Sequence, residues 1–277
     1  MGVAKVIIND VTEIDLTADT VTADTLAEGA TAHDAKGDII TGTMTSGGGD
    51  ESFIAYIESD AGAGITSLPS GLTSIGNYTF YYCSKLALTS LPSGLTSIGN
   101  SAFCNCSALA LTSLPESLTS IDNSAFSYCS KLALASLPSG LTSIGEYAFY
   151  YCSALALTSL PSGLTSIGNS VFCNCSKLAL TSLPSGLTSI GNYTFYYCSK
   201  LALTSLPESL TSIGNSAFYY CTGLTSLTFK GTPTTVASSA FNSCTNLKDI
   251  YVPWSEGAVA DAPWGATNAT IHYDSTV

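Results

Sequence analysis

Residues 68–90 read LPSGLTSIGNYTFYYCSKLALTS, and residues 183–205 are the same string. Leu68-Pro69 returns at Leu91-Pro92, Leu114-Pro115, Leu137-Pro138, Leu160-Pro161, Leu183-Pro184 and Leu206-Pro207, a step of 23 residues each time. Identical copies mean duplication within an array. The phase continues, degraded, as far as Phe241 and Cys244. Within one unit, Leu72, Ile75, Phe80, Cys83, Leu86 and Leu91 are the apolar positions. Phe80 is followed in phase by Phe103, Phe126, Phe149, Phe172, Phe195 and Phe218, so these positions make a buried ladder when units stack. The segment Leu86 to Leu91 reads as the strand of each unit, with Pro92 blocking its extension and Gly94 and Gly99 supplying turns. The spacing of Leu86, Leu88 and Leu91 breaks strict alternation and leaves the direction of Leu88 open.

A period in the low twenties, with a unit too short to bury its own apolar face, fits a leucine-rich repeat solenoid in which neighbouring coils complete the core. The unit Ile98-Gly99-Asn100-Ser101-Ala102-Phe103-Cys104-Asn105-Cys106-Ser107-Ala108-Leu109, of the form IGxxAFxxCxxL, resembles the BspA-type leucine-rich repeat family over about residues 66–252. That resemblance implies an α/β repeat solenoid. It also implies the settings in which the family occurs: bacterial surfaces, some protists and phage-encoded proteins. At about 4.8 Å per coil, eight coils span roughly 40 Å.

Composition narrows the function. The 277 residues carry 20 acids and only 8 basic residues, all lysine. Without arginine, bidentate contacts to phosphates or bases are unavailable, so nucleic acid is not an expected partner. Residues 1–62 hold 12 acids against Lys5 and Lys36, whereas residues 63–277 hold 8 acids against 6 lysines; the acidity belongs to the front and the array is nearly neutral. The apolar run near Met1 is too short for a secretory signal, and no window approaches the length of a membrane span. The expectation is a chain without a visible export signal.

The two ends depart from the repeat. TVTADTLAEGATAHDAKGDIITGTM, within residues 1–46, resembles a short Gly/Thr-rich module of phage and prophage tail-associated proteins. The resemblance implies attachment to other tail or virion proteins, with homotrimeric assembly through this module left open. Residues 47–52 read as a flexible linker, 53–67 as an N-terminal cap, 68–250 as the repeats, and 251–277 as a C-terminal cap carrying both tryptophans, Trp254 and Trp264.

Neither metal nor catalytic chemistry is expected. Eight of the ten cysteines, Cys83, Cys106, Cys129, Cys152, Cys175, Cys198, Cys221 and Cys244, stand in phase. In-register side chains on adjacent coils lie about 4.8 Å apart, further than the Cβ separation of about 3.8 Å in a disulfide. A ladder of buried free thiols is the expectation, and the CxC pairs Cys104/Cys106 and Cys173/Cys175 lack the partners of a metal site. His33 and His272 stand far in sequence from any repeat-borne nucleophile. No cofactor is implied.

What varies between units is more informative. Before each ladder cysteine the two residues read Tyr81-Tyr82, Cys104-Asn105, Ser127-Tyr128, Tyr150-Tyr151, Cys173-Asn174, Tyr196-Tyr197, Tyr219-Tyr220 and Asn242-Ser243. Three residues before each pair stand Tyr78, Ser101, Ser124, Tyr147, Ser170, Tyr193, Ser216 and Ser239. The spacing i, i+3, i+4 around a fixed Phe places them together on the outer face of a short helical or 3₁₀ turn. Twelve of the fifteen tyrosines lie here. Tyr, Ser and Asn are the residues of antibody paratopes, giving large contact at low entropic cost, so this stripe is the candidate ligand-binding surface for a host cell-surface protein or glycan. Its residues are Tyr78, Tyr81, Tyr82, Tyr128, Tyr147, Tyr150, Tyr151, Tyr193, Tyr196, Tyr197, Tyr219, Tyr220, Asn105 and Asn174. The resulting expectation is a receptor-binding protein of a phage or prophage tail; a bacterial cell-surface adhesin and a structural spacer are the alternatives.

Overall fold

The structure, a computed structural model, describes residues 65–68 and 70–275 and, as backbone alone, five strands before them. These are β1 (Ala4–Ile8), β2 (Thr12–Asp15), β3 (Thr31–His33), β4 (Ile39–Thr41) and β5 (Ser52–Ile57). β1 pairs antiparallel with β2 and β5, and β3 with β4. The expected linker, apart from Ser52, lies outside the described residues, as does most of the tail-like motif.

From residue 65 onward the chain winds into stacked coils. Each contributes one two-residue Ser-Ile strand: β6 (Ser74–Ile75), β7 (Ser97–Ile98), β8 (Ser120–Ile121), β9 (Ser143–Ile144), β10 (Ser166–Ile167) and β11 (Ser189–Ile190). β5 pairs in parallel with β6, Phe53 opposite Ile75, so the strand row runs on from the front segment into the array. Serine faces outward and isoleucine is buried, the alternation expected of a strand with one face in the core. Pairing is in register, Ile on Ile, because an identical repeat leaves no other register that keeps every isoleucine inside. The row is interrupted between β9 and β10.

The strand therefore lies at Ser74–Ile75, not at Leu86–Leu91 as the sequence suggests. On the Leu face, extended pairing develops only toward the C-terminal end, in β12 (Ser205–Leu206), β14 (Ser226–Phe229), β16 (Asp249–Tyr251) and β17 (Thr270–His272). Between them, β13 (Ser212–Ile213) and β15 (Thr235–Val236) continue the Ser-Ile row. The reason is proline. Each earlier coil carries Ser-Leu-Pro at this place, and proline cannot donate to a ladder; the coil at 224–231 reads LTSLTFKG, and there the strand runs on to Phe229. Leu86, Leu88 and Leu91 are all buried.

The helical half of the α/β expectation is not met: among the described residues there is no helix. The outer segments are turns. The core is one continuous column. Rings of adjacent Phe80 to Phe241 stack 5.0 to 5.8 Å apart with interplanar angles of 3° to 18°. At the far end, Trp254 and Trp264 are buried against Phe229, and the indole of Trp264 donates to the carbonyl of Ala260 at 2.7 Å. The backbone N–H of Phe241 donates to Trp264 at 2.9 Å, where an internal coil would use the next repeat.

Candidate functional site

The turn from Tyr78 to Tyr82 and its copies do two things at once. Inward it buries Phe80, and at the following position Cys83. Outward it presents three lanes of side chains: first Tyr78 and its equivalents, then Tyr81 and its equivalents, then Tyr82 and its equivalents.

The first and third lanes are left-handed. Tyr78, Ser101, Ser124, Tyr147, Ser170, Tyr193 and Ser216 in the first, and every residue of the third from Tyr82 to Ser243, have φ between 50° and 64°. A right-handed helix cannot pass through such residues, which is why the expected helical or 3₁₀ segment is absent. The conformation turns alternate N–H groups along the solenoid axis. Tyr78, Phe80 and Tyr82 donate to the carbonyls of Asn100, Ala102 and Cys104 in the next coil at 2.7 to 2.8 Å, while Tyr81 and Cys83 close local turns onto Tyr78 and Phe80. The outer face is thus a hydrogen-bonded ladder without being a sheet. It fixes the Cα of every stripe residue at one repeat per coil.

The thiols complete this scheme. From Cys106 onward, each ladder cysteine donates to the carbonyl of the phenylalanine in the coil before it: Cys106 to Phe80, Cys129 to Phe103, Cys152 to Phe126 and so on to Cys244 on Phe218, at 2.9 to 3.1 Å. That carbonyl already accepts one backbone N–H, so the thiol fills its second lone pair. All ten cysteines are free and buried. Burial pushes Cys83 up to about 11 and Cys244 up to about 12, and holds Cys129, Cys152, Cys175, Cys198 and Cys221 well above the ordinary thiol value. These are packed, protonated groups, the opposite of a reactive thiolate. The two extra cysteines occupy the middle lane and accept from their neighbours: Asn105 Nδ2 on Cys104 Sγ and Asn174 Nδ2 on Cys173 Sγ, both at 3.3 Å.

The stripe residues named from sequence are brought together. Tyr78, Tyr81, Tyr82, Tyr128, Tyr147, Tyr151, Tyr193, Tyr197 and Tyr220 are exposed, between 38% and 58%, on a frame whose interior is closed. Tyr150, Tyr196 and Tyr219 are half-buried beneath them, as are Asn105 and Asn174. Where tyrosines occupy one lane in adjacent coils their rings stack: Tyr128 on Tyr151 at 5.1 Å, Tyr196 on Tyr219 and Tyr197 on Tyr220 at 4.7 Å. Within a coil they meet edge-on or tilted, as Tyr147 and Tyr150 do at 5.7 Å. Burial, then the neighbouring Cys173 and tyrosines, raises Tyr150 to about 12, and burial likewise raises Tyr81 and Tyr196, so these phenols keep their protons as hydrogen-bond donors.

Charge flanks the stripe in order. Exposed Lys85, Lys131, Lys177 and Lys200 stand three residues beyond the third lane. On the other edge, Asn77, Asn123, Asn169 and Asn192 tie coil to coil through their side-chain oxygens, and Glu146 accepts from Asn169 Nδ2 at 2.7 Å. The lysine edge follows the repeat, though Lys does not recur in every unit.

Other sequence candidates are placed elsewhere. Both indoles lie in the buried end of the column. His272 Nε2 lies 2.8 Å from Asp249 Oδ1 and its ring stacks on Tyr251 at 4.5 Å, remote in sequence from the stripe. No helix of the described residues is long and apolar enough to cross a membrane.

The sequence matches the family described as BspA type leucine rich repeat region, in six copies over residues 63–179 and 178–258. Among solved structures, a leucine-rich repeat protein of T. pallidum is similar at 32% identity and TM-score 0.49, covering 57% of this chain and 76% of that one. One from Bacteroides ovatus has 24% identity and TM-score 0.46, over 83% and 74% of the two chains. A leucine rich cell surface protein of Faecalibacterium prausnitzii has 22% identity and TM-score 0.41, over 89% and 93%. A comparison with curated proteins finds no match.

Proposed function

Because the chain belongs to the BspA-type leucine-rich repeat family, we propose that it is a binding protein, working at an exterior surface, whose Tyr/Ser/Asn stripe makes the contact. One observation carries this reading. Nine tyrosines stand exposed on a frame whose buried positions hardly vary from coil to coil, so variation and aromatic exposure coincide on one face. Exposed aromatic patches of this extent mark interaction sites, and tyrosine joins a large apolar ring to a polar tip.

The stripe is rigid before it binds. Inter-coil hydrogen bonds hold its backbone and stacked rings hold many of its side chains, so little conformational freedom is left to lose on contact. Nothing in the stripe supplies a nucleophile with its base, and the reading is of recognition without catalysis.

Two mountings fit such an array. The Gly/Thr-rich motif in residues 1–46 favours attachment to a phage or prophage tail, where the solenoid would be the host-contacting part and the front segment would join other tail proteins, in a trimer if the assembly is fibre-like. Family membership favours a bacterial cell surface. Residues 251–277 would in either case close the array. Light scattering on the full chain tests the trimer, and co-sedimentation with tail particles or with cell envelopes separates the two mountings.

The test of the stripe is replacement of Tyr81, Tyr82, Tyr150, Tyr151, Tyr196 and Tyr197 by Ser, followed by measurement of binding to bacterial and host cells. Serine is native to both lanes, at Ser127 in the middle one and at Ser243 in the third, so the fold should stand. The expected result is loss of binding. Undiminished binding by a folded variant would refute the assignment.

A further inference from the structure

The row of Ser-Ile strands has one seam, between coil four (residues 137–159) and coil five (160–182). Elsewhere along the row, Gly99, Asp122, Gly145, Gly191, Gly214 and Ala237 each donate a backbone N–H to the isoleucine carbonyl of the coil before, at 2.8 to 3.0 Å. Gly168 makes no such bond to Ile144. Thr96, Thr119, Thr142, Thr188 and Thr211 donate likewise to the preceding threonine carbonyl at 2.7 to 3.1 Å, and Thr165 does not. Two consecutive inter-coil bonds are missing at one junction and at no other along the row from β6 to β15.

The coils stand apart there. Ile144 is 8% exposed where Ile121 and Ile167 are 1%. Ser143 and Ser166 are exposed, whereas Ser120 and Ser189 on either side of them are half-buried. A Cβ placed on Gly99, Gly191 or Gly214 would lie no more than 2.8 Å from the backbone of the coil before; on Gly168 the nearest backbone atom would be 3.8 Å away. The other two faces of the junction are closed. On the outer ladder Tyr147 and Phe149 donate to Asn169 and Val171 at 3.0 Å and Tyr151 to Cys173 at 2.8 Å, and on the Leu face Ala179 donates to Leu157 at 3.0 Å. The gap is therefore a wedge, open on the Ser-Ile side and pivoted on the others.

One residue explains the wedge. Glu146 stands where the units before and after it have Asn123 and Asn169. The asparagine at this position clips coil to coil: Asn77, Asn123, Asn169 and Asn192 each accept the backbone N–H of the next unit's equivalent residue at 2.8 Å. Glutamate is one methylene longer, and its carboxylate reaches past that N–H to accept from Asn169 Nδ2 at 2.7 Å. Its chain then lies against coil five, with Cγ 3.2 Å from where a Cβ of Gly168 would be. Loss of the clip alone does not open the row. Between coils two and three the Asn123 N–H is taken by Asp122 Oδ1 at 2.7 Å, and β7 still pairs with β8. The difference at coil four is the glutamate stem held between the coils.

We propose that the junction of coils four and five is a flex point built into the solenoid, with Glu146 as the wedge that holds its Ser-Ile side open. A junction lacking bonds on one face opens at lower cost than its neighbours, so the array bends here first. The seam divides the stripe between two blocks. Tyr128, Tyr147, Tyr150 and Tyr151 stand before it and Tyr193, Tyr196, Tyr197, Tyr219 and Tyr220 after it, while coil five carries no tyrosine. Because the pivot includes the outer ladder, bending changes the angle between the two tyrosine clusters without unbonding the backbone beneath them. The flex point stands whatever the stripe binds; its use in fitting a partner rests on the stripe being the binding surface.

The test is amide hydrogen exchange on the full chain, read at Gly145, Gly168, Gly191 and Gly214. In the native protein Gly168 is expected to exchange at least tenfold faster than Gly145 and Gly191. Glu146→Asn restores the residue native to the position in the neighbouring units and should slow Gly168 into their range. Asn192→Glu carries the wedge to the junction of coils six and seven, where the sequence around it then matches coil four closely, and should speed Gly214 at least tenfold. Equal exchange at the three native glycines, or an unchanged Gly168 in Glu146→Asn, would overturn the proposal, as would an unchanged Gly214 in folded Asn192→Glu. Should Asn192→Glu fail to fold, Glu146→Asn decides alone. None of these readouts depends on cell binding, so the flex point and the stripe assignment stand or fall separately.

Discussion

The inner and outer faces of one five-residue turn differ more than any two separate parts of the molecule. Inward, Phe80 and its seven equivalents are invariant and buried; outward, the residues on either side of it alternate among tyrosine, serine, asparagine and cysteine. Both faces hang on the same backbone ladder, in which N–H groups of one coil reach carbonyls of the next. The lesson is that a solenoid can fix its fold with main-chain bonds and a narrow inward row, leaving outward side chains at identical intervals free to change. The inner row answers to packing and the outer lanes to contact.

The largest effect should come from breaking the inner row at its middle. Phe172→Ala removes one ring from a column stacked on both sides, and is expected to lower stability by about 3–5 kcal/mol, read by denaturant unfolding. A loss below about 1 kcal/mol would mean that the column tolerates a gap and that its invariance has another cause.

A smaller loss is expected from the thiols. Cys152→Ala deletes the second bond to the Phe126 carbonyl and a buried sulfur, for a cost of about 1–2 kcal/mol. The same thiols set a pH limit. A raised folded-state value means that the folded protein holds its thiol protons where the unfolded chain has lost them. The stabilisation is therefore complete below the unfolded value of about 8.5 and declines as pH rises toward the folded values, about 11 for Cys83 and about 12 for Cys244. Unfolding midpoints should fall steadily between about pH 9 and pH 11. A flat profile would contradict burial of the ladder. At neutral pH a thiol reagent should label these cysteines only after unfolding.

The smallest effect should come from the outer lanes. Tyr82 sits at φ 61°, a conformation that asparagine adopts more readily than tyrosine, and Asn105 already occupies that lane one coil on. Tyr82→Asn is expected to shift stability by no more than about 0.5 kcal/mol in either direction. A large loss would show that the exposed rings help to hold the coils together and that the two faces are not separable.

Much of this division was legible in the sequence. The 23-residue step gave the stacking, the buried row and the phase of the cysteines, because an exact repeat makes every unit's environment the same. The outer placement of the tyrosines also followed from their spacing around a fixed Phe, whereas Ser101, Ser127 and Ser170 at the same positions are buried, because a short side chain does not clear its neighbours. Three things were not readable. Ser74–Ile75 is a strand because its bonds run to neighbouring coils, and a two-residue pair carries too little intrinsic preference to announce itself. The i, i+3, i+4 spacing suggested a helical turn, yet Tyr78 and Tyr82 are left-handed; the pattern of outward residues is shared by both geometries, and only the inter-coil bonds choose between them. The thiol-to-carbonyl bonds join residues 26 positions apart, a relation that no local pattern shows.

The most direct test of the account is one preparation of the six-tyrosine variant, Tyr81, Tyr82, Tyr150, Tyr151, Tyr196 and Tyr197 to Ser, examined for thermal unfolding and for cell binding together. The account predicts an unfolding midpoint within a few degrees of the native chain and binding reduced at least tenfold. A native-like midpoint with native binding would contradict it, and so would a collapse of the fold.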